Sequence, residues 1–391
     1  MTTNFAARVS GEANFQNKLA VITGGSGGIG ISVAKAILER GGKVALVDLR
    51  ESKDSQALVE QYGADRVAFV RNDVSIANPE EKQVRKYAMT VKSARLLEQV
   101  AALKATGVGD DDVRVKALNA DLERTQATLR DMPPSVEEAM QAILKLPVAN
   151  GTGGKVDFLV NNAGIQIQKP FEKQTPDDFN TLMGINYFGK VNWARAVVPN
   201  MREGGKIINT SSVHGHVGSP ERAPYTSAMH ATLGLTKTLA GELAGRNISV
   251  FSISPAFIET DLAWNPLHDK VKAGDFTLEG EGKPEMVDGK PNEAYAVALK
   301  RAEAWRLQLQ GGKWVQMDDV VAAYVGLMDG SRKLETGGDL HGPELTVGYI
   351  DESRKRAGPA GIAMFDKPMQ EAVDHLNRQL TAPQALQTPA I

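Results

Sequence analysis

The chain has no cysteine, which excludes disulfides, thiolate nucleophiles and cysteine-ligated zinc. It has little excess charge: 45 Lys and Arg stand against 47 Asp and Glu, a formal net charge of -2. That balance lacks the basic footprint of a nucleic-acid binder and gives no pull toward an anionic membrane surface. No apolar run is long enough to span a bilayer. Met1 to Asn17 also lacks the apolar stretch of a secretory leader. The expectation is a soluble cytoplasmic protein with no nucleic-acid, membrane or metal partner.

What is present is enough chain for one large α/β domain with additions, or for two domains: 391 residues, 42% of them hydrophobic. The organising stretch runs from Lys18 to Gly30. An apolar run, Leu19 to Ile22, reads as a buried strand, and five glycines then fall within positions 24–30. A helical pattern follows at once, with Ile29, Val33 and Ile37 on one face. A strand, a glycine turn and a helix start make a phosphate cradle. Glycine lets the backbone approach a pyrophosphate, and the helix N-terminus offers free N–H groups and partial positive charge.

A second strand, Lys43–Asp48, ends in an acid about 20 residues beyond that turn, where a dinucleotide fold places the carboxylate for the adenosine ribose hydroxyls. A carboxylate there repels a 2′-phosphate and favours NAD over NADP. Arg50, two residues on, tempers that preference. Further strands are expected at Arg66–Val70, Val156–Val160, Lys206–Thr210, Ile248–Ser254 and Asp339–Val347. Helices are expected from Thr175 to about Asn200, from Tyr225 through Leu243, and over Met317–Met328. The fold class is therefore α/β, a Rossmann-like doubly wound parallel sheet.

The third and fourth strands are more than eighty residues apart, far beyond what a crossover needs. Pro79 to Met132 reads as a helical hairpin broken at Thr106–Gly109 and inserted at a surface loop, where added length costs little. The crossover helix resumes at Ser135, which with Glu138 fits a capping box. The expected organisation is an N-terminal arm (1–16), one domain (17–350) and a C-terminal tail (351–391). Within the domain, 77–134 is the helical insertion and 256–313 a substrate lid with a helical stretch over Glu293–Leu309.

Four features occur together in order. They are Thr23-Gly24-xxx-Gly28-x-Gly30, Asn161-Asn162-Ala163-Gly164, Ser212 thirteen residues before Tyr225, and Pro255 after the sixth strand. In this the chain resembles the short-chain dehydrogenase/reductase family over about residues 17–260 and 313–350. The resemblance implies that Gly24, Ser26, Gly28, Ile29 and Gly30 hold the pyrophosphate and that Asp48 binds the adenosine ribose. It implies Asp73 and Val74 beside the adenine, and Asn162, Ala163 and Gly164 along the ribose side. Pro255, Ile258, Thr260 and Tyr225 would hold the nicotinamide end. Tyr225 would be the general acid or base, Ser212 would stabilise the substrate oxygen, and Asn186 would hold a proton-relaying water. His214, two residues after Ser212, is a candidate substrate contact. The family's helices that hold Asn186 and Tyr225 commonly form oligomer contacts, so a homodimer or homotetramer is expected. The substrate would be a small-molecule secondary alcohol or its ketone.

One position departs from the pattern. The family has a lysine four residues after the tyrosine, and this chain has Met229. Methionine supplies neither the charge that lowers a phenol's pKa nor a donor for the ribose. Two explanations stand at this point. Either Met229 is native to a redox-silent or redirected relative, or it is an engineered replacement that disables a working dehydrogenase scaffold at one position and traps a substrate or cofactor complex. The corresponding alternatives in function are a scaffold protein that binds a partner through the helical hairpin, and non-redox chemistry in the same pocket with His214 or Tyr225 as acid or base.

Overall fold

Leu19–Thr23 forms β1 with every residue buried, because its side chains alternate between two apolar layers. Ala20 and Ile22 pack in the layer that holds helix α1 (Gly28–Glu39), while Leu19 and Val21 pack in the layer on the opposite face. The computed structural model describes residues 14–258, 260, 262, 286–287, 290–291, 315–336 and 338–340. Nearly all of the N-terminal arm, most of the expected lid with its Glu293–Leu309 helix, the last strand beyond Leu340 and the C-terminal tail lie outside the described residues.

The sheet continues through β2 (Lys43–Asp48), β3 (Val67–Arg71), β4 (Val156–Asn161), β5 (Met201–Thr210), β6 (Ser249–Ile253) and β7 (Asp339–Leu340). These strands and β1 lie in the order β3-β2-β1-β4-β5-β6-β7, all parallel. The order reverses between β1 and β4, which opens a crevice at the carboxyl ends of those two strands. Thr23, at the end of β1, clips the crevice floor: its Oγ1 accepts from the N–H groups of Asn162 and Ala163 at 3.0 and 3.1 Å.

Helix α2 (Lys53–Tyr62) follows β2 and is capped reciprocally by Ser52 and Ser55, an element the apolar pattern does not single out because its mean hydropathy is low. The expected insertion is a helical hairpin, α3 (Pro79–Ala105) and α4 (Val113–Arg130), ahead of α5 (Val136–Ile143). Ser135 and Glu138 make the expected capping box. The two ends of the hairpin meet. The N–H of Val136 donates to Ile76 O at 2.8 Å, and that of Glu137 to Ala77 O at 3.1 Å. A segment whose entry and exit are adjacent adds length without displacing the sheet.

The helix expected from Thr175 to Asn200 is not one continuous α-helix. Helix α6 (Pro176–Met183) passes into a π-turn at Gly184–Phe188 before α7 (Gly189–Val197). An inserted residue of this kind swings the backbone and is common at functional sites. Asn186 lies within it. Helix α8 (Ala223–Leu243) carries Tyr225 in its first turn, and α9 (Met317–Asp329) packs against α1.

Candidate active site

Two adjoining clefts open at the carboxyl ends of the central strands and share Ile29, Asn162, Ala163, Gly164, Thr260 and Leu262. The first is built from the β1 and β2 side. Gly24, Gly27, Gly28, Asp48, Asp73 and Val74 line it. Gly24 has φ +63, and a Cβ there would lie 2.9 Å from Ala163 Cα, so only glycine lets the two loops meet. A Cβ on Gly30 would lie 2.2 Å from Gly24 O, so that residue keeps α1 close to the turn. Gly27 is the N-cap of α1 and makes no side-chain cap, so no side chain at the cap occupies the helix's first N–H groups. The Asp48 carboxylate accepts from the N–H of Ser26 at 3.0 Å and from that of Leu49 at 2.7 Å.

The second cleft is lined by Asn186, Ser212, His214, Tyr225, Met229, Pro255 and Ile258, with Phe257 beside them. The hydroxyl of Ser212 accepts from the N–H of His214 at 3.3 Å and caps a short 3-10 turn, Val213–Gly215. Tyr225 is 8% exposed, and its ring meets that of His214 edge-on at 5.9 Å between centroids. Burial pushes the Tyr225 phenol above its ordinary value, against the smaller downward pull of its hydrogen bond with Ser212 and of the Arg222 charge. At neutral pH the phenol therefore holds its proton.

Of the residues expected at the site, all but two line one cleft or the other. The exceptions are Ser26 and Gly30. The Ser26 N–H is taken by Asp48, and Gly30 serves the packing of α1. Asn186 is in place, but its amide is engaged: Oδ1 accepts from Ile165 N–H and Nδ2 donates to Ile165 O, both at 2.9 Å. Met229 packs with Leu182, Tyr225 and Ala228 in an apolar cluster. Sequence reasoning missed Lys190, which also lines the second cleft. Its signal was present: it stands four residues after Asn186, on the same helix face.

The residues fit a dinucleotide. An uncapped helix start and glycine turn suit a pyrophosphate, and a carboxylate at the end of β2 suits a ribose diol. Fold and clefts thus define an α/β protein whose residues suit a dinucleotide. The model of the short chain dehydrogenase family matches residues 18–111 and 94–270, and the chain belongs to that family of oxidoreductases. It is 31% identical over 172 residues to a D-beta-hydroxybutyrate dehydrogenase of Rhizobium meliloti, covering 44% of this chain and 66% of that protein, just under two thirds of its length. It is 30% identical over 259 residues to a 3-oxoacyl-acyl-carrier-protein reductase of Staphylococcus epidermidis, covering 66% of this chain and 81% of that protein. The solved structure of a dehydrogenase/reductase from Sinorhizobium meliloti has the same fold, with a TM-score of 0.54 at 23% identity over 86% of this chain and 96% of that one. No helix among the described residues is long and apolar enough to cross a membrane.

Proposed function

We propose that the protein interconverts a secondary alcohol and its ketone with NAD as the redox partner. The observation that carries this reading is that Ser212 and Tyr225 stand in a cleft continuous with the one lined by Gly28 and Asp48. A bound nicotinamide dinucleotide supplies or accepts the hydride. The protein supplies the proton and steadies the oxygen. In ketone reduction the Tyr225 O–H bond breaks and its proton passes to the substrate oxygen; in alcohol oxidation the phenolate takes it back. The Ser212 hydroxyl donates to the same oxygen as its charge develops. Asp48 favours NAD over NADP, because a carboxylate accepts from ribose hydroxyls and repels a phosphate.

The relatives act, by their names, on 3-hydroxybutyrate and 3-oxoacyl groups, and a further relative, 28% identical, is a 3alpha-hydroxysteroid dehydrogenase of Mediterraneibacter gnavus. These set the first substrates to try. The test is formation of reduced nicotinamide from NAD with (R)-3-hydroxybutyrate, 3-hydroxyacyl thioesters and 3α-hydroxysteroids. Turnover lost in Tyr225→Phe supports the reading, and a panel with no turnover in either direction contradicts it. We also take the protein to be a homo-oligomer through the helices that hold Asn186 and Tyr225. Phe188, beside Asn186, is 51% exposed, which leaves an apolar side chain for a second copy to cover. Light scattering tests this.

A further inference from the structure

The family's lysine is missing at 229, yet a cation lines the same cavity. Lys190 is 3% exposed and reaches the cavity wall from α7, beside Asn186, Tyr225 and Met229. Its Nζ donates to the backbone oxygen of Asn186 at 2.5 Å. Among the described residues no carboxylate pairs with it. A buried ammonium without a counter-charge is costly, and a methionine or leucine would fill the same space without that cost. Position 229, by contrast, sits among Leu182, Tyr225 and Ala228, where an apolar side chain is at home. Arg222 is the other buried cation near Tyr225, but it is not part of the cavity wall, and its guanidinium donates to Ser219 Oγ at 2.7 Å and Gln168 Oε1 at 3.0 Å.

We propose that Lys190 supplies, from the helix that carries Asn186, the cation that the family carries at position 229 on the helix of Tyr225. In this arrangement its ammonium donates to the nicotinamide-side ribose of the bound dinucleotide and holds the Tyr225 phenol poised for proton transfer. The inference rests on the reading that a nicotinamide dinucleotide occupies the joined clefts. Met229 then marks a lysine moved between neighbouring helices, not a site without charge. Burial lowers the Lys190 ammonium to about 7, so near neutrality the group gains or loses its charge at small cost as negative charge arrives beside it. The other titratable groups in that wall are Tyr225 and His214.

The test compares the unaltered protein with Lys190→Met, Lys190→Gln and the double variant Lys190→Met/Met229→Lys, by fluorescence titration with NADH and by thermal unfolding. Lys190→Gln keeps a donor for the Asn186 oxygen and removes the charge, so it separates a cation from a mere strut of the π-turn. The expected result is NADH affinity weakened about tenfold or more in both single variants, with the fold retained in at least Lys190→Gln. The double variant should recover to within about threefold of the unaltered protein, since one cation from either helix suffices. Unchanged affinity in Lys190→Gln overturns the proposal, as does a folded double variant no better than Lys190→Met. If the unaltered protein binds neither NADH nor NADPH, the dinucleotide reading itself fails. That outcome is distinct because it precedes any substitution.

Discussion

Asp48, the last residue of β2, accepts the N–H of Ser26 on Oδ2 at 3.0 Å and so ties the end of one strand to the glycine turn of its neighbour. The carboxylate is thereby fixed at the cleft wall instead of turning to solvent. Asp48→Ala removes both the ribose acceptor and the repulsion of a 2′-phosphate. The preference for NADH over NADPH should fall by about tenfold or more. Parallel calorimetric titrations measure it, and an unchanged ratio would show that Asp48 only ends a strand.

Tyr225→Phe keeps the ring against His214 and removes the proton. Turnover should fall by about a hundredfold or more while NADH affinity changes little. Ser212→Ala should cost about a hundredfold in kcat, as loss of one donor to a developing oxyanion does. A variant of either residue with wild-type kcat would place the chemistry elsewhere in the cavity, with His214 the next residue to replace.

Lys190 also makes stability depend on pH. Its folded value of about 7 lies below the ordinary 10.5, so between the two the unfolded chain binds the extra proton. Stability therefore rises with pH across that window, and the cost of burial is present in full only below it. The Tyr225 phenol titrates above its ordinary 10.0 and is common to the unaltered protein and Lys190→Met, so its contribution drops out of their difference. The unfolding midpoint of the unaltered protein should gain on that of Lys190→Met as pH is raised from about 7 to about 9.5. A constant difference would mean that Lys190 stays charged in the fold.

The hairpin of α3 and α4 is joined to the fold at two adjacent points, and two of its ion pairs to the rest are Arg71–Asp131 at 2.6 Å and Lys82–Glu138 at 2.9 Å. The first pair is exposed and the second partly so, and pairs this near solvent contribute little. Deleting Pro79 to Met132 should leave a folded protein whose NADH affinity is within about threefold of the original. Loss of dinucleotide binding in a folded deletion would give the hairpin a direct part in the cleft.

Much of this was legible in the sequence because the sheet strands are near-continuous apolar runs with punctuated ends. The glycine turn, Asp48, Ser212 and Tyr225 could be placed by their position after strands, and the capping box at Ser135 marked where the inserted hairpin ends. Other features were not legible because they arise from packing between distant segments. The π-turn around Asn186 leaves no local signature in residues 184–188. The engagement of the Asn186 amide by Ile165 depends on how the β4 loop crosses the helix. Lys190 stands four residues after Asn186, but its burial is seen only once α7 is packed against β4 and α5. The absence at 229 was plain in the sequence; the cation beside it required the fold.

Dinucleotide binding in the joined clefts is decided by calorimetric titration of the full chain with NADH and with NADPH. Saturation at one NADH per chain is expected, with NADPH weaker by about tenfold or more. No heat from either dinucleotide would contradict it.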